Sequence, residues 1–198
     1  MKKAIIAAAV AALAAGSVAA QESPWLVRAR AVHLNFANDN STPVTGLSVN
    51  NKTIPEVDVS YFFNKNVATE LILTVPQSQT VYDTASGDIG SFKHLPPTLT
   101  LQYHFTNFNG FKPYVGAGVN YTRISTVNIA NGAYTLDNHS YGAAYQFGVD
   151  IPLDKQWSLN VDYKKVYLKS NVYGSNGVSA GTLKLDPGLL GVGVGYRF

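Results

Sequence analysis

The stretch Thr98-Leu99-Thr100-Leu101-Gln102-Tyr103-His104-Phe105 alternates without a break. Leu99, Leu101, Tyr103 and Phe105 fall on one side, and Thr98, Thr100, Gln102 and His104 on the other. Successive side chains of a β-strand point to opposite faces, so this is a strand with one apolar and one polar face. Downstream, Val115, Ala117, Val119 and Tyr121 alternate with Tyr114, Gly116, Gly118, Asn120 and Thr122. Upstream, Val57, Val59, Tyr61 and Phe63 alternate with Glu56, Asp58, Ser60 and Phe62. The same rhythm runs through Trp25 to Phe36, Val67 to Val75, Tyr141 to Ile151, Trp157 to Tyr163 and Leu190 to Phe198.

These segments predict eight strands and no helix. The connections alternate in length. Short turns lie at Asn64-Lys65-Asn66, at Thr106 to Gly110 and at Pro152 to Gln156, while long polar segments cover 37–52, 76–92, 125–139 and 169–183. An even strand number, with short turns at one rim and long loops at the other, is the pattern of an outer-membrane barrel. The fold class is therefore all-β: an eight-stranded antiparallel transmembrane β-barrel with short periplasmic turns and long extracellular loops. Rings cluster where the apolar faces end, as in Trp25, Tyr61, Phe63, Tyr103, Phe105, Phe111, Tyr121, Tyr141, Trp157, Tyr163, Tyr196 and Phe198. Such girdles mark the two membrane interfaces. A soluble barrel would carry its polar face outward instead.

Composition agrees. Charged residues make up only 14%, against about 25% in a typical soluble domain. Cysteine is absent, which excludes a disulfide scaffold, a thiol nucleophile and a cysteine metal site. Met1-Lys2-Lys3, the apolar run Ala4 to Ala15 and the small residues Val18-Ala19-Ala20 read as a cleaved signal peptide over 1–20, leaving the barrel as 21–198. Without Lys2 and Lys3 the balance is 13 basic minus 12 acidic residues, or +1. That gives no electrostatic surface for nucleic acid.

The inward faces divide by height. Arg28, Asp58, Glu70, Lys112, Asp150 and Arg197 are expected near the periplasmic end, with Asp162 and Lys164 higher. Both signs are present, so they can pair and plug a lumen only just wide enough for side chains. Above them, Ile72, Thr74, Thr98, Gly116, Gly118, Ala144 and Val166 are small or apolar and would line an upper lumen. A molecule stopped by the plug must leave sideways. Pro76 ends the third strand, and Pro96 and Pro97 begin the fourth. Proline lacks the N–H that a ladder needs, so these three mark an expected lateral opening.

His94-Leu95-Pro96-Pro97-Thr98-Leu99 and Lys112-Pro113-Tyr114-Val115-Gly116-Ala117-Gly118-Val119-Asn120-Tyr121-Thr122 resemble the outer membrane protein W (OmpW/AlkL) family. So do Gly148-Val149-Asp150, Leu185-Asp186-Pro187 and the closing Gly195-Tyr196-Arg197-Phe198. The resemblance runs in order over the mature chain, outside the long loops. It implies an outer-membrane channel for passive uptake of small hydrophobic molecules, released through the barrel wall into the membrane. The terminal Tyr196 and Phe198 resemble the assembly signal of bacterial barrels, which implies the barrel assembly machinery as a partner. Outer-membrane lipids and lipopolysaccharide are the expected surroundings. No cofactor, metal or catalytic group is expected.

Two other functions compete. A structural, adhesion or phage- and toxin-receptor barrel would have a solid core. A lipid A-modifying enzyme would need Ser and His on the outer wall. Of the four histidines, His33 faces outward without a neighbouring serine, His94 and His104 face inward by parity, and His139 lies in a long segment. No G-x-S-x-G or H-E-x-x-H motif occurs.

Overall fold

In the computed structural model, residues 23–38 and 46–198 are described. The expected signal segment 1–20 lies outside the described residues. The strands are β1 (Trp25–Asn35), β2 (Leu47–Val49), β3 (Lys52–Phe62), β4 (Val67–Thr74), β5 (Gln77–Asp83), β6 (Gly87–Leu95) and β7 (Thr98–His104). They continue with β8 (Lys112–Ile129), β9 (Tyr134–Leu136), β10 (His139–Pro152), β11 (Trp157–Val166), β12 (Lys169–Gly174), β13 (Ser179–Lys184) and β14 (Gly188–Arg197). All recorded pairings are antiparallel, and the sheet closes on itself through β1 with β14 and β8 with β10. The shorter pieces stack end to end, so the fourteen segments occupy eight positions around the wall. A closed wall leaves no sheet edge, which is what hydrocarbon demands of a β-structure.

The faces follow the sequence alternation. On β7, Thr98, Thr100, Gln102 and His104 are buried, while Leu99 and Leu101 are 48% and 59% exposed. Those exposures place apolar side chains against lipid all round the wall, with Val119, Phe147 and Val192 equally bare. Rings gather at both ends of this band. Near the periplasmic turns, Trp25 packs edge-on to Tyr61 and Trp157 to Tyr196, each pair at 4.9 Å. Near the opposite rim Tyr121 packs on Tyr141 at 5.1 Å, and part-way down the band Phe147 packs on Tyr163 at 5.2 Å.

Two periplasmic turns use one device. Asn64 Oδ1 accepts the backbone N–H groups of Asn66 and Val67, and Asp154 Oδ1 accepts those of Gln156 and Trp157. These bonds satisfy turn donors locally, and they hold the Asp154 carboxyl below the usual carboxylate range.

Three of the four polar segments expected to be long loops are mostly strand, and the fourth contains a short one. Residues 76–92 form most of the β5–β6 hairpin, 169–183 form most of β12–β13, 125–139 include the end of β8 and β9, and 37–52 include β2. Their alternation is hidden because the outward residues are polar and some inward ones are too. Gln77, Gln79 and Val81 face in on β5, as do Ser170 and Val172 on β12. The barrel therefore continues beyond the apolar band as a polar-coated collar. His139, expected in a loop, opens β10 and faces outward beside Tyr121 and Tyr141.

Neighbouring strands approach closely at several glycines, Gly118, Gly142 and Gly193 among them. A Cβ on Gly118 would sit 1.9 Å from the Leu99 carbonyl oxygen, and one on Gly193 would sit 2.0 Å from that of Ala29. Those contacts are with backbone, so no rotamer relieves them. Gly118→Val should therefore lower the yield of folded barrel, read as loss of the heat-modifiable band on gels, whereas Gly110→Ser in a periplasmic turn, strained only by its φ of +83° and with open space around it, should lower it less.

Candidate functional site

The lower lumen is filled by one charge network, and strand register assembles it. The β1–β3 pairing sets Arg28 opposite Asp58 and Arg30 opposite Glu56, and the β3–β4 pairing sets Ser60 opposite Glu70. Opposite charges on one face of adjacent strands stabilise the pairing. From its fully buried position Arg28 reaches across the barrel. Its Nε and Nη2 donate to the two Asp150 oxygens at 3.0 and 2.7 Å, a bidentate fork. Its Nη1 donates to Asp58 at 3.2 Å, Ser60 at 3.0 Å and Glu70 at 3.3 Å. Arg30 pairs with Asp58, with Glu70 at 2.7 Å, with Asp162 at 3.2 Å and with Glu56 at 3.3 Å. Lys164 bridges Glu56 and Asp162, both at 2.8 Å.

Three cations thus face five carboxylates. Neutral donors supply the rest of what the carboxylate oxygens need. Gln102 and Gln146 donate to Glu70 at 2.8 and 2.7 Å. The Tyr114 hydroxyl donates to Asp162 at 2.8 Å, and Asn160 donates to Asp150 at 2.8 Å. Burial of charge is tolerated here because each ion has several close partners. The side chains of the network are between 0 and 8% exposed. Below it opens a periplasmic vestibule of about 300 Å³ lined in part by His104, Lys112, Asp150 and Arg197.

Of the six residues expected in the plug, Arg28, Asp58, Glu70 and Asp150 are in it. Lys112 and Arg197 are not. Lys112 stands half-buried at the vestibule and makes no ion pair among the described residues, and the Arg197 guanidinium lies 4.0 Å from the Phe62 ring centroid. Both sit at strand ends, below the tier where the carboxylates meet. Asp162 and Lys164, expected higher, belong to the network because strand tilt brings them level with Arg30. Gln102, Gln146, Asn160 and Tyr114 carry no charge, and only their inward parity hinted at this role.

Immediately above the plug the lumen becomes apolar. Leu34, Ile54, Ile72, Val166, Leu168 and Leu189 surround a cavity of about 30 Å³, with Thr74, Pro96 and Thr98 on its wall. The four expected lining residues Ile72, Thr74, Thr98 and Val166 are present. Ala144 is buried in the same apolar cluster. Gly116 and Gly118 do not line the cavity. Gly116 lies at plug height between Gln102 and Gln146, where it leaves room for their amides, and Gly118 is pressed against β7. Large side chains fill most of the space expected to be open. A second apolar cavity of about 370 Å³ opens in the collar, lined among others by Leu47, Val81, Ile129, Leu136, Val172 and Leu183.

The wall is interrupted beside the small cavity. The β4–β7 ladder ends at Ile72 opposite Thr98, and the β5–β6 ladder starts at Gln77 opposite His94. Between them Leu73, Thr74, Val75 and Pro76 face only Leu95, Pro96 and Pro97, with no ladder pair across. Side chains take up the carbonyls there. Gln77 Nε2 donates to the Val75 carbonyl at 2.9 Å, and Asn120 Nδ2 to those of Pro96 and Pro97 at 3.3 and 3.2 Å. A second irregularity, at Asp186 and Pro187, is bridged: Val166 N donates to the Pro187 carbonyl, and Leu185 and Asp186 N to that of Leu168.

An outer-membrane β-barrel with a charge-sealed base and an apolar upper lumen is the class that this fold and site define. The profile of the OmpW family matches residues 14–198, and the chain belongs to that family. It is 43% identical over 190 residues to the uncharacterised outer-membrane protein y4mB of Sinorhizobium fredii, covering 91% of this chain and 82% of that protein. It is 28% identical to the dibenzothiophene metabolism operon protein PahQ of Pseudomonas aeruginosa, over 90% of both chains. Among solved structures, the outer membrane protein AlkL in lipid bilayers superposes with a TM-score of 0.73 at 25% identity, over 93% of this chain and 94% of that one. The protein is placed in the outer membrane.

Removing one partner of a buried charge network costs about 3–5 kcal/mol. Arg28→Met should lower the urea midpoint of the barrel in detergent accordingly, and Lys112→Met should shift it by less than about 1 kcal/mol, the scale of exposed pairs.

Proposed function

We propose that this barrel is a passive channel for small hydrophobic molecules, which enter through the collar and leave sideways through the wall into the membrane. The observation that carries the reading is the wall break at Pro76, Pro96 and Pro97, placed at the apolar cavity directly above a sealed plug. An axial route to the periplasm would have to cross the buried charge network, where an apolar molecule gains nothing and the ions would lose their partners. The collar offers apolar surface at its mouth, and the break is where the wall has fewest bonds to open. The operon name of PahQ, which refers to an apolar sulfur heterocycle, agrees with this substrate class.

The outward face supports two partners. Above the upper rings, Lys93, Arg123, Lys169 and Lys184 are exposed, suiting the phosphates of lipopolysaccharide. At the other end Tyr196 packs on Phe198 at 5.1 Å, a half-buried aromatic terminus for the assembly machinery to engage. Deleting Phe198 should reduce insertion into the outer membrane while secretion continues; normal levels of folded barrel would remove that role.

A structural or receptor barrel with a solid core is favoured by one feature, the 30 Å³ cavity, which holds no more than roughly two waters. Flux separates the two. In an antiparallel strand both backbone groups of a residue point to the same neighbour. Pro97 accepts from Tyr121 N on β8, so Pro96 is the residue whose missing N–H faces the break. Pro96→Val should restore up to one ladder bond, worth about 0.5–1.5 kcal/mol, and reduce uptake of a small apolar solute about two- to tenfold in cells at matched barrel levels. Pro97→Val should have the smaller effect. Equal, unreduced flux in both variants would remove the lateral exit, and no flux in the unaltered protein would favour the solid barrel.

A further inference from the structure

In the upper lumen Asn120, Thr98 and Thr122 bond one another, but two further buried polar side chains keep atoms without a partner. His94 on β6 and Gln79 on β5 are 2% and 0% exposed and meet at 3.1 Å through Gln79 Nε2 and His94 Nε2. The Phe36 and Phe92 rings lie 6.4 and 6.1 Å from the His94 ring, and Leu34, Ile54, Leu168, Thr98 and Asn120 share its cavity. His94 Nδ1 and Gln79 Oε1 have no partner. Buried polar atoms are nearly always satisfied, so two orphans on adjacent side chains call for an explanation.

Their position supplies one. His94 lines the small cavity beside Pro96, where the wall is broken. Gln79 lies two residues from Val81, which lines the larger cavity of the collar. The pair therefore sits between the apolar mouth and the proposed exit. Outside the wall at this height Lys93 is exposed, so this tier stands above the apolar band. Burial, with Lys52 nearby, pushes the His94 imidazole down to about 4, so the ring is neutral at pH 7. A neutral imidazole has one N–H and one bare nitrogen. If the Gln79 amide donates to Nε2, then Nδ1–H is left as a donor and Gln79 Oε1 as an acceptor. If the amide is turned, the donor and acceptor exchange sides. Either arrangement leaves one of each.

We infer that His94 and Gln79 form a polar seat for the hydroxyl of an otherwise apolar molecule, so that the channel favours alcohols and phenols over hydrocarbons of the same shape. A hydroxyl is both donor and acceptor, so it can answer whichever orphan it meets, in either arrangement of the pair. A hydrocarbon in the same place would leave both unmatched. Neutrality of the ring removes any preference for carboxylates. This inference rests on the uptake reading above and narrows its substrate class.

The test pairs 1-octanol with octane. In lipid nanodiscs holding the full barrel with 15N-labelled histidine, 1-octanol should move the His94 ring resonances and octane should not; the His94→Gln variant identifies those resonances by their loss. In cells at matched levels of heat-modifiable barrel, His94→Phe should lower uptake of 1-octanol about tenfold relative to octane, the factor supplied by one ordinary hydrogen bond. His94→Gln should keep part of the preference, and Gln79→Leu should lose much of it. A ring signal that ignores 1-octanol, or a His94→Phe variant that reduces both solutes equally, overturns the seat and leaves the pair a packing element. If the unaltered barrel carries neither solute, the uptake reading falls while the ring shift still decides the seat.

Discussion

The guanidinium of Arg28 is the point on which the lower half of the barrel depends. It lies on the first wall strand, yet its five donors reach Asp58 and Ser60 on the second, Glu70 on the third and Asp150 on the sixth. An eight-stranded ring has no room for a water column that could solvate such groups. Each ion must therefore be answered by protein, and one planar fork that spans the lumen answers three other strands at once. Arg30, one layer up, repeats the arrangement toward Glu56 and Asp162. The two arginines fix how the strands are staggered, because a slip of one residue would turn both into the lipid.

That rigidity has a consequence higher up. With the base locked, the barrel's freedom lies above the plug, where the contacts are dispersive and non-directional. Leu34, Ile54, Leu168 and Leu189 close the space over the charges in this structure. Aliphatic side chains can change rotamer without breaking a hydrogen bond, which an ion-paired tier cannot do. On the proposed reading this is why the moving part and the sealed part occupy different heights, and why an apolar solute is the kind of cargo that the moving part can admit.

How much of this was legible in the sequence turns on the difference between face and height. Alternation assigned inward and outward sides correctly on the membrane strands, because period two survives any tilt or stagger. Height is another matter. Barrel strands are tilted, so residues far apart in the pattern come level only through register, which the pairing of distant strands sets. Lys112 and Asp150 are directly paired, yet only Asp150 bends into the network while Lys112 remains at the rim. Gly116 was placed too high for the same reason. The collar strands were missed because their outward residues, such as Ser78, Thr80 and Lys93, face water and not lipid, so the apolar stripe that marks a membrane strand is missing. Neutral partners such as Gln146 left no sign beyond parity.

The wall break also has to survive where it is. An interrupted ladder at the edge of hydrocarbon leaves donors and acceptors unpaired, and each would be costly without water. Here the two kinds of group are dealt with separately. Proline at 76, 96 and 97 removes the donors by chemistry, so no N–H is left to orphan at those positions. Side-chain amides take some of the acceptors beside the break: Gln77 the Val75 carbonyl, and Asn120 those of Pro96 and Pro97. The irregularity around Pro187 is handled the other way, with backbone N–H groups bridging it and the Asp186 carboxylate accepting from Leu168 N at 2.8 Å. One fault in the wall is therefore stitched across and the other is finished on both sides like a seam left open. On the proposed reading, a break with few donors on its lips, in a sheet that is otherwise continuous, is the place where two strands can part at least cost.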